Sequence, residues 1–577
     1  MKDGGKRKRA AAAAAVPAGP PARTGLLWWH YAAALAGVFF ALWLVYGPAL
    51  TGPFLLDDSY LPYMLDGYPD APLKEWVKGL RPMLMLSFWL NFQQSAQEPF
   101  AYHMVNLALH FANGLWIWMA FRRLLAWAGE QGWRREWLAA FAGGLFLAHP
   151  LQTEAVSYVA SRSETLSVFF FLGAFVLFLY RRREAASWGV AAGVLVLFGA
   201  ACMTKEHGAV LPALLSLTDY YWTPGFSARG IVRNWRLYVP MLALAAAAVT
   251  YVFTRVLAGA GTAGFGVKEF TWIQYFFTQC RAIWVYLRMF VFPYGQNLDH
   301  EFAISRTVLD RGAVFGLMGL AAMVVAAWIY RKRFPLASYG LFVFLALIAP
   351  TSSVVPILDP LVERRLYLPF IGLLLITVEL LRRWKASRAA LAGTLTVVLL
   401  AAAFLSYQRN GLYANAIDMW TDSAAKSPAK VRPHFQLAYA YYQAGACDRA
   451  ADEFSKTSQL AKPDFSLLLD WALAYDCASR PGEALAKFRE ASLIEPSAHV
   501  YSQIGMEYAK LKQYPQALDA LQTAEQVDSG FAMTYFYRGN IYTEQGLPAK
   551  AAEQYRRALA VNPKLQAARD ALARTGR

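Results

Sequence analysis

Apolar residues fill this chain in long runs up to about residue 410 and recur at helical spacing after that. The runs lie near 26–50, 103–125, 136–148, 163–180, 187–203, 208–222, 236–257, 312–330, 336–350, 366–384 and 389–407. A helix needs about 20 apolar residues to cross a bilayer, so eleven spans are expected, the shorter ones completed by their flanks. One more stretch, Phe270 to Phe292, mixes Gln274, Gln279, Arg281 and Arg288 with aromatics. That mixture predicts an amphipathic helix lying in the membrane interface, not a further span.

From about residue 430 the pattern changes. His434, Leu468, Tyr501 and Tyr535 open units 33 or 34 residues apart. Each unit has Tyr seven residues on (Tyr441, Tyr475, Tyr508, Tyr542) and Ala at the sixteenth step (Ala450, Ala484, Ala517, Ala551). Four residues later comes a large side chain: Phe454, Phe488, Leu521 or Tyr555. Small residues let paired helices approach, and large ones fill the gap between neighbours, which is the tetratricopeptide pattern. Leu565 to Leu572 reads as a polar-faced capping helix. The expected fold class is therefore all-α: a polytopic transmembrane helix bundle at 26–410, then four tetratricopeptide repeats plus a cap at 430–577, forming an α-solenoid.

Composition agrees, since 57% of the 577 residues are hydrophobic, too many for a soluble domain. The net charge of +17 comes from short basic clusters between apolar runs. Arg122-Arg123 with Arg134-Arg135, Arg181-Arg182-Arg183, Arg229/Arg233/Arg236, Arg331-Lys332-Arg333 and Arg382-Arg383 with Lys385/Arg388 fall in alternate loops. This is the positive-inside distribution of a membrane protein, and it argues against a nucleic-acid partner. It predicts a cytoplasmic N-terminal tail over 1–25, carrying Lys6-Arg-Lys-Arg9, and repeats on the outer side. The run at 26–50 is too long for a signal-peptide core, so it reads as an uncleaved first helix. The outer face then receives the 51–102 loop, the 149–163 turn, Thr204-Lys-Glu-His207, the 258–311 region and Thr351 to Arg365.

Most of the unusual polar residues map to that face. Asp57-Asp58 follow the first span directly, and carboxylates beside a hydrocarbon region point to function; a solvated loop pair or helix cap is the plainer alternative. His103, Asn106, His110 and Asn113 form one polar stripe on the second span, suited to a buried hydrogen-bond network or to a wet cavity. His149, Glu154, Arg162 and Glu164 flank a turn, where internal salt bridging competes with ligand contact. Lys205-Glu206 and Glu363-Arg364-Arg365 place cations on the outer side, against the positive-inside trend. An arginine fork matches phosphate oxygens, so Arg364, Arg365 and Lys205 are candidates for donor phosphate, with ordinary Glu–Arg pairing as the alternative. No Walker loop, dinucleotide fingerprint or zinc-type spacing is present. Of four cysteines, Cys202 and Cys280 read as apolar filler. Cys447 and Cys477 fall on the same side of the repeat stack, bridged or unpaired.

Several stretches in this order carry a resemblance: Leu56-Asp-Asp58, Arg81-Pro-x5-Phe-x-Leu-Asn91, His103-x-x-Asn106-x-x-x-His110 and His149-Pro-x-x-Thr-Glu-Ala155, then Arg162-x-Glu164, Lys205-Glu206 and Glu363-Arg-x-Leu-Tyr-Leu-Pro369. With the repeats, the chain resembles the transmembrane-and-tetratricopeptide-repeat O-mannosyltransferases, and more broadly the GT-C glycosyltransferases that include the protein O-mannosyltransferases. It departs from them in its Ser59-Tyr60 continuation and in having only four repeats. The resemblance implies an inverting transferase that moves a sugar from a polyprenyl-phosphate donor to an acceptor hydroxyl. Asp57 and Asp58 would be catalytic, with Arg81 and the residues above lining the site. The acceptor expected is Ser or Thr of an envelope or secreted protein held by the repeats. A divalent cation at Asp57, Asp58 and Glu164 is conceivable, but the resemblance argues against a need for one. The Ala/Leu/Arg-rich composition suggests a bacterial inner membrane with a periplasmic outer side. Rival readings are a non-catalytic scaffold for an envelope complex and a lipid-linked glycan ligase or flippase.

Overall fold

Among the described residues, one helix occupies each of the eleven apolar runs. The protein is described by a computed structural model over residues 28–575, apart from 66, 182, 183, 253 and 255–261. The basic tail at 1–25, Arg182-Arg183 and residues 258–261 of the outer region lie outside the described residues. The membrane half contains α1 (Trp28–Tyr46), α2 (Pro82–Ser95), α3 (Pro99–Trp127), α4 (Gly132–Ala148), α5 (Arg162–Leu179), α6 (Trp188–Cys202) and α7 (Leu211–Trp222). It continues with α8 (Trp235–Tyr251), α9 (Trp272–Val291), α10 (Ala313–Tyr330), α11 (Pro335–Ile348), α12 (Phe370–Arg383) and α13 (Arg388–Tyr413). Proline opens α2, α3 and α11, where its fixed φ suits a first turn and its missing N–H is no loss. Ser187 and Ser387 cap α6 and α13 by accepting from Val190 and Ala390 N–H. Among the described residues, only α1, α3, α5, α10 and α13 are long and apolar enough to cross a membrane unaided.

Burial orders the bundle. In α5, 83% of the apolar window is covered by protein, against 11% in α10. So α5 runs through the centre, and α10 shows its apolar side chains outward. Helices α11 and α12 meet backbone to backbone: a Cβ on Gly372 would stand 2.5 Å from the Gly340 carbonyl oxygen, an approach that only a residue without a side chain allows.

The polar residues separate to the two ends of the bundle. At one end the arginine clusters tie loops together. Arg134 donates to Leu381 O (3.1 Å), Arg382 to Ala128 O (3.1 Å), and Arg181 pairs with Asp219 (2.7 Å). The other end gathers the Asp57 loop, the 149–161 turns, Lys205–His207, 296–301 and 356–366. Helix α9 touches that second end along its whole length. Its Tyr275 hydroxyl donates to Thr351 O (2.6 Å), Gln279 to Pro360 O (2.8 Å) and Tyr286 to Val362 O (3.0 Å), while His149 bonds Phe290 O (3.0 Å). The polar face of α9 is thus spent on loop backbone at that end, with Arg281 donating to Ala303 O (3.0 Å) and Arg288 to Tyr294 O (3.1 Å).

After α13 come α14 (Ala416–Lys426), α15 (Val431–Gln443), α16 (Cys447–Leu460), α17 (Phe465–Cys477), α18 (Pro481–Ile494), α19 (Ala498–Lys510), α20 (Tyr514–Val527), α21 (Ala532–Glu544), α22 (Pro548–Val561) and α23 (Gln566–Thr575). Helices α15 to α22 pair as four repeats, and α23 covers the end. The repeat alanines are buried as the spacing predicts: Ala450, Ala484, Ala517 and Ala551 are fully buried, as are Phe454, Phe488, Leu521 and Tyr555 one turn further along the same helices. Cys447 and Cys477 form a disulfide with Cα atoms 5.7 Å apart, which decides between the two alternatives left by the sequence.

Helix α14 was not anticipated. It carries Ala416 and Trp420, and is followed by Pro428, at the spacing of the second helix in each repeat, and Trp420 is 2% exposed. It is a half-repeat that joins the last membrane helix to the solenoid.

Candidate active site

Asp57 and Asp58 share one 3-10 turn, Leu56–Tyr60, just beyond α1. Such a turn rotates about 120° per residue, so neighbouring side chains point apart. Asp58 points inward and is 1% exposed; its Oδ2 accepts from Leu55 N–H (2.8 Å) and its Oδ1 from Ala160 N–H (2.6 Å). Asp57 points out to solvent, and its N–H donates to the Tyr158 hydroxyl (2.8 Å). Leu56, between Leu55 and Asp57, has a φ of 45°, a left-handed conformation that costs a bulky residue about 1–3 kcal/mol. Asp58 holds the chain in that shape by tying the start of the turn at Leu55 to the backbone at Ala160. Burial pushes the Asp58 carboxyl up to about 7, against the pull of its two N–H donors. The two catalytic candidates, Asp57 expected as base and Asp58 as orienting the acceptor or Asp57, therefore have different surroundings. Asp57 is available to a ligand, while both Asp58 oxygens are used within the protein, making it a positioning residue.

Asp57 acts electrostatically on Arg81 and Arg364, and those two act in turn on Lys205. Arg81 makes a two-pronged bridge to Glu206 (2.9 and 2.9 Å). Arg364 is paired with Glu154 through its guanidinium and, at 3.0 Å, through its backbone N–H. Lys205 is paired with Glu164. Burial, and then the charges of Arg81 and Arg364, hold the Lys205 ammonium below its ordinary value, against the pull of Glu164; the three cations are therefore one cluster. Burial alone would lower Arg364 too, but Glu154, Tyr158 and Asp57 hold it above its usual value. The Arg81, Arg364 and Lys205 side chains stay 37%, 27% and 17% exposed, so a ligand oxygen can reach them. Each already has a carboxylate partner, so their geometry is fixed before any ligand arrives.

The other candidate residues serve the frame. Arg365 turns away from this cluster and donates to Pro360 O (3.4 Å). His103 bonds Gly52 O (3.3 Å), and His110 bonds Tyr367 Oη (2.9 Å) and Leu147 O (3.1 Å). Asn113 donates to Thr165 O (2.9 Å). Asn106 accepts from Arg162 (2.9 Å), whose buried guanidinium also donates to Asn91 (2.8 Å) and Tyr102 O (2.9 Å). The polar stripe thus bonds Arg162, Tyr367 and backbone carbonyls of neighbouring segments, and leaves His103 Nδ1 and Asn113 Oδ1 without a partner. His149 accepts from Leu151 N–H (3.2 Å) and so shapes its own turn. Asp57, Asp58 and Glu164 do not converge: among the described residues no group of three His, Cys, Asp or Glu side chains is placed to hold a metal ion.

Glu363 is a clamp as well. It accepts from Asn297 N–H (2.6 Å), Gln296 (2.7 Å) and His300 (2.9 Å), and Asn297 in turn bonds Ser423 and Ser427 beside α14. Lys430 and Arg432, at the start of the solenoid, bridge to Asp359 (2.8 and 3.0 Å) and to Asp299. Burial would lift Asp359, but Arg432 and Lys430 hold it down at about 2. Leu55, Tyr158, Leu298, Tyr413, Trp420 and Leu437 form one apolar cluster, so the base of the repeats is built into the loop that carries Asp57. Apart from Glu363, the sequence analysis singled out none of these docking residues; the Ala416-x3-Trp420 spacing is the signal that could have found them.

The fold and site define a polytopic helical membrane protein with a tetratricopeptide solenoid fixed over an exposed carboxylate and three paired cations. Its relatives narrow this. A tetratricopeptide repeat model matches residues 532–565. The chain is 31% identical over 149 residues to human Protein O-mannosyl-transferase TMTC2, covering 25% of this chain and 17% of that one. It is 33% identical over 162 residues to human Protein O-mannosyl-transferase TMTC1, covering 25% and 17%. A longer match, 23% over 381 residues, is to Protein O-mannosyl-transferase F38B6.6 of Caenorhabditis elegans, covering 62% and 50%. The chain is thus related to this protein O-mannosyl-transferase family, as its motifs suggested, and spans half or less of these relatives' length. Among solved structures, MamA overlaps 26% of the chain and 87% of its own at 19% identity and a TM-score of 0.24. The tetratricopeptide protein YrrB overlaps 32% and 88% at 17% and 0.25. At those scores neither overlap carries weight.

Proposed function

We propose that this chain is a membrane glycosyltransferase that moves a sugar, mannose by analogy with its relatives' names, from a polyprenyl-phosphate donor to a Ser or Thr hydroxyl of a protein. One observation supports the reading most: an exposed carboxylate, held on a strained turn, acts electrostatically on Arg81 and Arg364, and these two act on Lys205. The reaction needs both the carboxylate and the cations. The acceptor oxygen attacks the sugar carbon from the side opposite the leaving group, the carbon–oxygen bond to phosphate breaks, and the acceptor proton passes to Asp57. Negative charge then builds on the departing lipid phosphate, where Arg364, Arg81 and Lys205 stabilise it. Because their carboxylate partners already orient these cations, little reorganisation accompanies the step. Asp58 and Tyr158 hold Asp57 in place, and the docked solenoid raises the local concentration of acceptor.

In this reading the arginine-rich end of the bundle is cytoplasmic and α9 lies in the opposite, outer interface. Reporter fusions after Arg236 and Arg333 are expected to read cytoplasmic, and fusions at Gly264 and Gly445 external; a cytoplasmic Gly445 contradicts this sidedness. For the chemistry, the purified chain is incubated with polyprenyl-phosphate-mannose and a Ser/Thr-bearing acceptor protein. The expected product is acceptor heavier by one hexose per site. Donor that is consumed only by water, or not at all, contradicts the proposed transfer.

A further inference from the structure

We propose that an anionic phospholipid, from the leaflet at the arginine-rich end of the bundle, binds an apolar groove between α7 and α11 with its phosphate on Arg331. This depends on the chain lying in a membrane and not on the proposed sugar transfer. The groove has a volume of about 650 Å³, within the range of ligand pockets. Ala213, Leu217 and Tyr220 line it from α7, and Phe342, Leu345 and Ala346 from α11. The two alanines leave space where larger side chains would bring the helices together. From Ala213 to Tyr220 the groove follows α7 for about 10 Å at the α-helical rise, so it accepts a length of hydrocarbon chain.

One end of the groove is aromatic and carries a cation. Tyr220 stacks on Trp328 of α10 with ring centroids 6.4 Å apart, and the Arg331 guanidinium lies over Trp328 at 4.1 Å. On the other wall Phe342 packs against Tyr221 (6.3 Å) and Tyr221 against Phe226 (5.6 Å), while Arg331 lies 5.7 Å from the Phe226 ring. Aromatic rings gather in this way at headgroup depth. Stacking occupies the flat faces of a guanidinium and leaves its N–H edges for an oxygen acceptor. Among the described residues, Arg331 gives one N–H to Trp328 O, its Nε has no hydrogen-bond partner, and no carboxylate pairs with it. Other arginines at the same end are neutralised, Arg181 by Asp219, and Arg382 and Arg383 by Glu379. Lys332, next in the chain, is exposed. A basic pocket between membrane helices suits an anionic lipid headgroup. A soluble anion would leave the groove empty, and an uncharged lipid would leave Arg331 unpaired, so the two features together select a charged lipid.

The test uses the full-length chain, stripped of lipid in detergent micelles and titrated with phosphatidylglycerol or with phosphatidylcholine of the same acyl chains. Native mass spectrometry counts bound lipid, and thermal unfolding reports its effect. Phosphatidylglycerol is expected to bind at least about ten-fold tighter and, because it binds the folded state, to raise the melting temperature further. Equal binding of the two lipids by the unaltered chain, which needs no variant to fold, overturns the proposal. Arg331→Gln is expected to bring the two lipids close to parity. Arg388→Gln, which alters an arginine lying over Trp133 (4.8 Å) and not lining the groove, is expected to keep the preference. Equal loss in both variants shows general charge attraction and overturns the proposal. Ala213→Trp fills the groove and is expected to weaken both lipids; a folded Ala213→Trp chain that binds them as before overturns it too. Dimers of the unaltered chain that disappear in Ala213→Trp, with lipid binding unchanged, also overturn it and give the groove to a second copy of the chain.

Discussion

Replacing Asp57 by Asn is expected to lower the rate of sugar transfer by roughly 10²–10⁴-fold, the range for removing a general base. The fold should survive, because the Asp57 side chain is exposed and the substitution keeps the backbone N–H that donates to the Tyr158 hydroxyl. Asp58→Asn is expected to behave differently. An amide can accept from one of Leu55 and Ala160 but offers the other an N–H in place of an acceptor. The strained turn at Leu56 then loosens, so the melting temperature and the rate fall together. Initial rates beside thermal unfolding curves separate the two residues. An Asp57→Asn chain that transfers at full rate shows that the carboxylate is not the base.

The second large effect is expected at Arg364. Its partner Glu154 is 1% exposed and accepts from both the Arg364 guanidinium and its N–H. Arg364→Ala removes one pole of a buried pair and leaves a carboxylate facing little else, a change that destabilises by about 3–5 kcal/mol in comparable pairs. It also removes a phosphate partner, so donor use should fall more than the acceptor affinity of the repeats. Arg364→Lys restores charge without the fork and should recover stability better than rate. Measured as rate against donor concentration beside a thermal unfolding curve, equal recovery of both in Arg364→Lys contradicts a role in binding phosphate.

The two halves of the molecule were legible in the sequence for different reasons. Apolar runs and the Tyr–Ala–Phe spacing report burial, which each helix satisfies largely with its own face, so their positions map onto helices one for one. The site depends on contacts between distant segments, which spacing does not encode. Asp57 and Asp58 look equivalent in sequence, and only the Leu56 turn, fixed by Ala160 a hundred residues away, turns one out and the other in. Arg364 and Arg365 are likewise adjacent, yet a single step of backbone sends one to Glu154 and the other to Pro360. The docking of the repeats escaped notice because Lys430, Arg432, Asp299 and Asp359 are ordinary surface residues until the fold brings them together.

The most direct measurement of the central claim is the mass of proteins displayed on the outer side of the membrane in cells carrying the unaltered chain or Asp57→Asn at equal abundance. Hexose on Ser or Thr, present with the unaltered chain and absent with Asp57→Asn, is the predicted result. Identical hexose patterns in the two strains would contradict it.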